Sequence, residues 1–296
     1  MDHQGLKAFV SVAKHSSFSD AADQLYLTQS AVSKRIASLE LQLGKKLFDR
    51  LGRTIALTEA GIALLPRAKQ ILRQFDQASQ ALDDLSGHTR GTLRLAISHH
   101  LGLHRLPIKL QQFTRTYPEV RLDIQFMDSE KAYENVLSGD AEVGVITLAL
   151  ESHSNVISQR IWQDPMMFVC ATNHALGRLT TPTLEDLAKY PVILPGLNTV
   201  TGRIIQELFS SRGITLTRPL LTNYLETIAT LVEIGLGWSV LPTTLIKDTK
   251  TLPVQEPSLF RELGYIHHRQ RSLSNAALAF IGVLEDVAPD KSSGFL

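Results

Sequence analysis

The feature that most constrains this chain is a single change in the spacing of its apolar residues, at residues 86–91. Before that point apolar residues recur every three or four positions, which is the period of amphipathic helices. After it, short apolar runs alternate with helical stretches, which indicates an α/β arrangement with a parallel sheet and helices on both faces. The break itself has two glycines in six residues, which is typical of a domain boundary.

Composition agrees with a globular protein of two or three domains, since the chain has 296 residues of which 44% are hydrophobic. No apolar run approaches the roughly 20 residues of a membrane helix, and the first residues lack the basic start and apolar core of a secretory signal. With Cys170 as the single cysteine, an internal disulfide or a thiolate metal cluster is excluded. We therefore expect a cytoplasmic protein with no membrane partner, and Cys170 as a buried packing residue.

Charge is distributed unevenly along the chain. Residues 1–58 hold 8 basic and 5 acidic side chains, whereas the whole chain has a net charge of +1. Phosphate attraction depends on local charge, so this end is a candidate for nucleic-acid binding. A solvated basic face would show the same pattern, and charge alone does not separate the two interpretations.

Three short helices are predicted in the first 44 residues, over about residues 4–14, 18–25 and 28–43. Thr28 can cap the third helix and Gly44 can end it. Residues 45–58 then indicate two short strands that turn at Gly52. The outward face of the third helix offers groups that reach base edges and phosphates when a helix N-terminus enters the major groove. These groups are Gln29, Ser30, Ser33 and Lys34.

Residues 4–65 resemble the winged helix-turn-helix of LysR-type transcriptional regulators. The match includes Thr28-Gln-Ser-Ala-Val-Ser33, Leu47-Phe-Asp-Arg50 and Ala60-Gly61. The resemblance implies that the third helix contacts DNA through the four residues above. It also implies wing contacts by Arg50 and by Arg53, which occupies the position that enters the minor groove. Ser30 departs from the family pattern, in which proline is frequent at this position.

A long helix is predicted from about residue 58 to residue 86. Its apolar residues form a heptad seam, which is typical of a coiled coil. The alternative is a helix that packs on its own domain. We favour dimerisation, because the flanking domains look too short or too distant to cover the helix and because the family dimerises there. The seam consists of Gly61, Leu64, Ala68, Ile71, Phe75, Ala78, Leu82 and Leu85.

The second part resembles the effector-binding half of the same family, in which two doubly wound α/β subdomains share a cleft like a periplasmic binding protein. The matching stretches are residues 118–122, 139–144 and 232–242. We predict strands at residues 93–97, 120–126, 143–146, 167–171, 192–194 and 238–241, and helices at residues 106–117, 130–138, 200–212, 225–234 and 275–286.

The predicted boundaries are residues 1–58 for the DNA-binding domain, 59–87 for the linker helix and 88–296 for the effector domain. The resemblance implies that the chain crosses between subdomains near residues 161–163 and again near residues 265–269. Subdomain I then comprises about residues 91–162 and 267–296, and subdomain II about residues 163–266.

Ligands of doubly wound sheets bind beyond the carboxyl ends of the strands. Thr199 and Thr201 lie at the start of a helix, where free N–H groups favour an anion. In the family, such positions hold a small effector, commonly with a carboxylate. His99 and His100 depart from the family pattern and either bring positive charge to the ligand or are solvated. The predicted effector residues are Ser98, His99, His100, Met127, Thr147, Gly196, Thr199, Thr201 and Asn223.

Metal, cofactor and catalytic sites are not predicted. His100 and His104 have the spacing of a metal-binding pair on a helix, but no third ligand is visible nearby and Gly102 argues against the helix. His267 and His268 lie in a strand-like stretch, where neighbours face opposite sides. No nucleophile elbow surrounds Ser98, and no phosphate loop or dinucleotide fingerprint occurs.

These patterns predict a LysR-type transcriptional regulator and not an enzyme. A dimer, paired into a tetramer as is common in the family, would bind pseudo-palindromic promoter DNA and respond to a small anionic metabolite between the subdomains. RNA polymerase is a further expected partner. The alternative is a small-molecule binding protein or enzyme whose N-terminal region only dimerises, but this alternative gives no reason for an exposed face of Gln29, Ser33 and Lys34.

Overall fold

The computed structural model describes residues 1–51, 54–84, 87–151, 153–216 and 219–286. The chain divides into two units, Met1–Ser86 and Gly87–Leu296. The division falls where the apolar period changes in the sequence. Within the described ranges, no helix combines the length and the apolar character needed to cross a membrane.

The first unit is a winged helix-turn-helix followed by a long helix. Asp2, Ser17 and Thr28 cap the first three helices, each through a side-chain oxygen that accepts a first-turn N–H. Gly44 ends the third helix with a φ of 63°, as predicted. The elements are α1 (His3–His15), α2 (Phe18–Gln24), α3 (Gln29–Leu43), β1 (Phe48–Leu51), β2 (Thr54–Leu57) and α4 (Glu59–Asp84).

The core of the first unit lies between α1, α2, α3 and the first half of α4. Phe48 brings the wing into this core, with ring centroids 5.4 Å from Phe9 and 5.9 Å from Phe18. Strands β1 and β2 pair antiparallel, with Arg50 opposite Ile55. The wing strands are thus present as predicted, while the turn residues Gly52 and Arg53 lie outside the described residues.

The predicted heptad seam of α4 has two different environments. In its first half Ala68 is fully buried, and Leu64 and Ile71 pack against the core of the first unit. The expectation that this unit is too short to cover α4 is therefore wrong for that half, because α1 lies along it. In the second half Phe75 and Leu82 are 52% and 71% exposed. Leu85, the last predicted seam residue, lies outside the described residues.

Gly61 is where α4 meets the wing. A Cβ at this position would lie 2.2 Å from the backbone oxygen of Leu47, so only glycine permits the approach. The Thr58 hydroxyl accepts the N–H of Gly61 at 3.0 Å and donates to the oxygen of Lys46 at 2.6 Å. These contacts fix where the wing ends and where α4 begins.

The second unit contains a large mixed sheet, a smaller two-stranded sheet and helices that contact them. Its strands are β3 (Gly91–Ser98), β4 (Val120–Met127), β5 (Val143–Thr147), β6 (Val156–Ala171), β7 (Val192–Leu194), β8 (Pro219–Leu221), β9 (Ser239–Pro242), β10 (Thr249–Thr251) and β11 (Leu259–His268). Its helices are α5 (His99–His104), α6 (Leu106–Thr116), α7 (Ser129–Ser138), α8 (Leu184–Ala188), α9 (Val200–Ser210), α10 (Leu225–Glu233) and α11 (Asn275–Glu285).

The large sheet has the strand order β10-β6-β11-β5-β3-β4, and β9 pairs with β6. Strand β3 is parallel to β4 and β5, as the alternation of strands and helices predicted. Strand β11 is antiparallel to both β5 and β6. The sheet is therefore mixed and not parallel throughout, because the chain returns to the first half of the unit along β11.

Strands β6 and β11 pair with each other from Val156 opposite His268 to Met166 opposite Leu259. Only residues 167–171 of β6 were predicted as a strand. The first half of β6, residues 156–163, does not alternate regularly between buried and exposed positions, so its period was not recognised. The register of β11 shifts between Leu263 and Gly264, close to the second expected crossing.

Helix α5 was not predicted, since Gly102 argued against a helix there. The glycine allows the Phe126 ring to approach, because a Cβ at Gly102 would lie 2.4 Å from a ring carbon of Phe126 unless this half-exposed side chain moved. The helix turns His100 and His104 to the same side, and their ring centroids are 4.7 Å apart.

Candidate DNA-binding helix and effector cleft

Helix α3 has one buried and one exposed face. Val32, Ile36 and Leu39 are buried in the core of the first unit. Gln29, Ser30 and Lys34 are exposed, and Ser33 is half-buried. The Thr28 hydroxyl accepts the N–H of Ala31 at 3.2 Å and lies 3.0 Å from the Ser30 hydroxyl. Thr28 is therefore a cap, and the predicted contact residues form the exposed face of the first turns.

Glu40, to which the sequence assigned no role, ties α3 to the wing. Its carboxylate is 8% exposed and accepts the N–H groups of Leu47 at 2.8 Å and Phe48 at 3.4 Å, while Lys46 Nζ lies 2.7 Å away. Burial by itself would raise the pKa of Glu40, but the hydrogen bonds from Lys46 and from the two backbone N–H groups outweigh it and lower the pKa. The side chain of Arg50 and all of Arg53 lie outside the described residues.

The predicted effector residues of the first half of the second unit meet at one edge of the sheet. Ser98, Met127 and Thr147 end the strands β3, β4 and β5, and parallel strands bring their carboxyl ends together. His99 and His100 follow Ser98 as the first residues of α5. Ser98 and Thr147 are 6% and 7% exposed. All these residues line one cavity.

The opposite wall of the cavity comes from the second half of the unit. Thr199 caps α9, and its hydroxyl accepts the N–H of Gly202 at 3.0 Å. Thr201 and Asn223 also line the cavity. Gly196 does not line it but lies beside it, because its N–H donates to Asn223 Oδ1 at 3.1 Å. The structure thus brings eight of the nine predicted residues to one cavity, which has a volume of about 50 Å³.

Two carboxylates that the sequence did not single out bridge the walls of the cavity. Glu130 Oε1 accepts the N–H of Val200, the first residue of α9, at 2.9 Å. Asp128 Oδ2 accepts from Asn223 Nδ2 at 3.0 Å. Asp128 and Glu130 follow the end of β4, so the strand-end rule points to their neighbourhood. What the sequence does not show is that they reach across to α9 and to Asn223.

Arg261 supplies a buried cation behind the cavity. Its guanidinium is paired with Asp164, which is fully buried, and Arg261 Nη1 lies 3.3 Å from the Thr201 hydroxyl. Arg105 Nη2 adds a second cation 3.4 Å from the Asp164 carboxylate. Because Arg261 and Asp164 come from paired strands far apart in sequence, no local pattern indicated them.

His100, His104 and Glu226 form a further cluster in the cleft. Glu226 Oε1 lies 3.3 Å from His100 Nδ1 and 3.1 Å from His104 Nε2. Burial lowers the pKa of His100 more than Glu226 raises it. For Glu226, burial opposes ionisation, but the hydrogen bonds from His100 and His104 bring its pKa to about 2. The sequence showed no third ligand near the two histidines, and the fold supplies one from α10.

Two further reactive side chains of the second unit are Cys170 and Ser98. Cys170 is buried, and burial raises the pKa of its thiol, which agrees with a packing role. Ser98 Oγ is buried and has no hydrogen-bond partner among the described residues. A hydroxyl of this kind on the cavity wall is suited to a ligand, because an unpaired buried donor costs free energy until it is satisfied.

Two family models match the chain. One is described as a bacterial regulatory helix-turn-helix protein of the lysR family and matches residues 3–62. The other is described as a LysR substrate binding domain and matches residues 86–289. The second model begins at residue 86, next to the division between the two units.

Full-length relatives match both units together. The uncharacterised HTH-type transcriptional regulator YeiE of Escherichia coli K12 is 32% identical over 282 residues, which covers 93% of this chain and 94% of that protein. The regulator YbhD of the same strain is 29% identical and covers 98% of this chain and 93% of its own length. The solved structure of full-length CbnR with its target DNA shares the fold, with a TM-score of 0.71, 21% identity, and coverage of 96% of this chain and 99% of that chain.

Proposed function

The chain belongs to the LysR family of DNA-binding transcriptional regulators, which are not enzymes, and we propose on this basis that a small anion in the cleft of its second unit controls its state on DNA. The first unit contains the DNA-binding domain and the second the effector-binding domain. The identity of the controlling ligand and the residues that contact it are parts of the proposal.

The DNA-binding face consists of the first turns of α3 and the wing. Gln29, Ser30, Ser33 and Lys34 offer amide, hydroxyl and ammonium groups at a helix N-terminus, a set suited to base edges and phosphates in the major groove. Arg50 and Arg53, which belong to the wing segment, would contact the DNA backbone and the minor groove. We propose that the protein binds a pseudo-palindromic promoter site as a dimer or tetramer. It would do so in the cytoplasm, with RNA polymerase as a further partner.

The observation that carries the proposal is the position of Glu130. Its carboxylate accepts the N–H of Val200 at the start of α9, where a helix dipole and free N–H groups favour negative charge. A carboxylate of the protein therefore occupies the place expected for an effector anion. Helix α7, which carries Glu130, belongs to the other half of the second unit, so this contact also joins the two halves.

Charge in the cavity makes Glu130 a competitor of the effector. Asp128, Glu130 and Glu226 line the cavity, and the guanidinium of Arg261 is already paired with Asp164. An added anion would be repelled while Glu130 remains. When the effector takes the N–H of Val200, Glu130 is released and the two halves lose one of their contacts. The effector then favours one arrangement over the other, which is the condition for any control by a ligand.

The size of the cavity favours a very small effector. Ligand pockets of proteins commonly measure roughly 300–1,000 Å³, whereas this cavity has a volume of about 50 Å³. The unpaired hydroxyl of Ser98 and the hydroxyls of Thr147 and Thr201 line the same cavity. An inorganic oxyanion or a carboxylate of one to a few carbons fits both the volume and these donors.

The first test replaces Glu130 with glutamine. A panel of small carboxylates and oxyanions is screened by thermal shift of the full chain, and the binding anions are titrated by calorimetry. We expect Glu130→Gln to bind them at least tenfold more tightly, since the competing charge is removed while the side-chain shape is kept.

Glu134→Gln is the matched control, because Glu134 lies one turn further along α7 and its side chain is 67% exposed. This variant should bind the same anions with the affinity of the unchanged chain. Equal affinities for Glu130→Gln and the unchanged chain would contradict the competitor role of Glu130. A panel in which no anion binds either protein would reject the anionic effector.

A further inference from the structure

The cluster of His100, His104 and Glu226 has the composition of a metal site. The two histidines are one turn apart on α5, and Glu226 belongs to the first turn of α10. The candidate ligand atoms of the three residues all lie within 4.8 Å of one another. Because α5 and α10 belong to opposite halves of the second unit, an ion bound here would join the halves.

The distances suit a tetrahedral ion. Metal–ligand distances of 2.0–2.1 Å separate two ligand atoms of a tetrahedron by roughly 3.3 Å. Glu226 Oε1 lies 3.3 Å from His100 Nδ1 and 3.1 Å from His104 Nε2. The candidate ligand atoms all lie within 4.8 Å of one another, so an ion that contacts all three requires side-chain movement.

The groups around His100 orient its ring so that Nδ1 faces Glu226. The Nε2 atom of His100 lies 3.4 Å from the Thr244 hydroxyl and 3.9 Å from the Asp164 carboxylate. Metal-binding histidines commonly direct their second nitrogen to a carboxylate or another polar group, which fixes the ring. Nδ1 then faces Glu226 and is available as the ligand.

The ligand types and the access also fit. Neutral imidazole and ionised carboxylate are common ligands of divalent transition metals. The side chains of His104 and Glu226 are 25% and 31% exposed, so an ion can enter from solvent. Imidazole and carboxylate together suit Zn²⁺ and similar divalent transition metals better than Mg²⁺ or Ca²⁺.

We propose that His100, His104 and Glu226 bind one divalent transition-metal ion of the zinc type and thereby link the two halves of the effector domain. This site adjoins the anion position at α9, since His100 and Glu226 also line the cavity proposed for the effector, and its test therefore uses metal ions alone. Three protein ligands leave a fourth position for water.

The test uses the full chain without an affinity tag, stripped of metal by a chelator that is then removed. ZnCl₂ and CoCl₂ are titrated separately, with calorimetry for stoichiometry and the visible absorption of Co²⁺ for geometry. We expect one ion per chain, a Kd of about 1 μM or lower, and intense Co²⁺ bands typical of four-coordination. His104→Ala and Glu226→Gln should each weaken binding at least tenfold.

His153→Ala is the matched control, because His153 is an exposed histidine of the same unit outside the cluster. The metal affinity of this variant should equal that of the unchanged chain. Circular dichroism verifies that each variant folds. The Co²⁺ spectrum of the unchanged chain tests the site even if one variant does not fold. Two results would show that the three residues form only a hydrogen-bonded bridge. One is an unchanged chain that takes up no stoichiometric Zn²⁺ or Co²⁺, and the other is metal affinity in His104→Ala and Glu226→Gln equal to that of the unchanged chain.

Discussion

Single side chains join the functional surfaces to the rest of the fold. Glu40 holds the first wing strand against α3 through two backbone N–H groups, and Glu130 holds α7 against the start of α9. Both are carboxylates that satisfy N–H groups at the end of an element, where intrahelical or ladder partners are missing. They therefore position the surfaces that bind DNA and effector without belonging to an obvious motif.

Replacing Glu40 with glutamine should destabilise the wing. Charge-assisted hydrogen bonds are stronger than neutral ones, so we expect a loss of about 1–2 kcal/mol. Faster hydrogen exchange at the backbone amides of Leu47 and Phe48 measures the effect directly. Because the pKa of Glu40 is lowered in the folded chain, its stabilisation is complete above the ordinary value of 4.5 and is lost as pH falls through the folded pKa.

Acid titration gives the second reading for Glu40. The stability of the first unit in Glu40→Gln should depend less on pH below 4.5 than that of the unchanged chain. The control is Glu59→Gln, at an exposed carboxyl in the first turn of α4, which should leave both amides protected. Unchanged exchange at Leu47 and Phe48 in Glu40→Gln would show that these hydrogen bonds do not hold the wing.

At the scale of elements, α4 has two functions along one helix. Its first half completes the core of the DNA-binding unit through Ala68 and neighbouring apolar residues. Its second half continues the same seven-residue repeat but leaves Phe75, Ala78 and Leu82 exposed. A seam that continues beyond its own core leaves an apolar surface exposed. We expect a second copy of α4 to cover it, because the seven-residue spacing is that of a coiled coil.

Replacing both Phe75 and Leu82 with serine should dissociate the expected dimer into single chains. Removal of two apolar side chains from each partner is expected to raise the dimer Kd at least 100-fold, which corresponds to about 2.7 kcal/mol. Sedimentation equilibrium at several concentrations measures the change.

Ile62→Ser is the control for this pair. Ile62 is also an exposed apolar residue of α4, at 62% exposure, but it lies outside the seam. It should leave the oligomeric state unchanged. If the Phe75/Leu82 variant keeps its oligomeric state, the second half of α4 is not the interface.

At the scale of the whole molecule, the net charge is close to zero, but basic and acidic residues are distributed unevenly between the two units. The chain has a net charge of +1, which by itself would give little attraction to DNA. The excess of basic residues lies in the unit that carries α3, whereas the cavity of the second unit is lined by carboxylates. The effect of a charge substitution on DNA binding should therefore depend on the unit in which the substituted residue lies.

Lys34→Ala and Lys247→Ala change the net charge equally and test this separation. Both lysines are exposed, the first on α3 and the second in the effector domain. We expect Lys34→Ala to weaken binding to bulk DNA and to reduce the slope of log affinity against log salt by about 1 per contacting subunit. Lys247→Ala should change neither quantity. Fluorescence anisotropy at several salt concentrations measures both, and equal slopes in the two variants would contradict a phosphate contact by Lys34.

Local patterns predicted the elements whose signals are contained within one segment. The caps at Thr28 and Gly44, the wing strands, the long helix and most strand ends of the effector domain depend on neighbours within a few positions. Helices α5 and α8, strands β8, β10 and β11, and the first half of β6 were not predicted. For α5, the close approach of the Phe126 ring favours Gly102, and for β6, pairing with β11 stabilises a strand with weak periodicity. In both cases a contact distant in sequence outweighs the local preference.

The sequence by itself determined the family through its resemblance to known motifs. It indicated the two-part organisation, the exposed face of α3 and eight residues that line one cavity through periodicity, caps, strand ends and the same resemblance. Only the tertiary structure decided which groups meet across the cleft. Glu130 at the start of α9, Glu226 between two histidines, and Arg261 against Asp164 each join segments far apart in the chain. It also decided that the first half of α4 belongs to its own core. The physical reason is that burial and pairing depend on distance in space, and a linear sequence encodes such distances only through the complete fold.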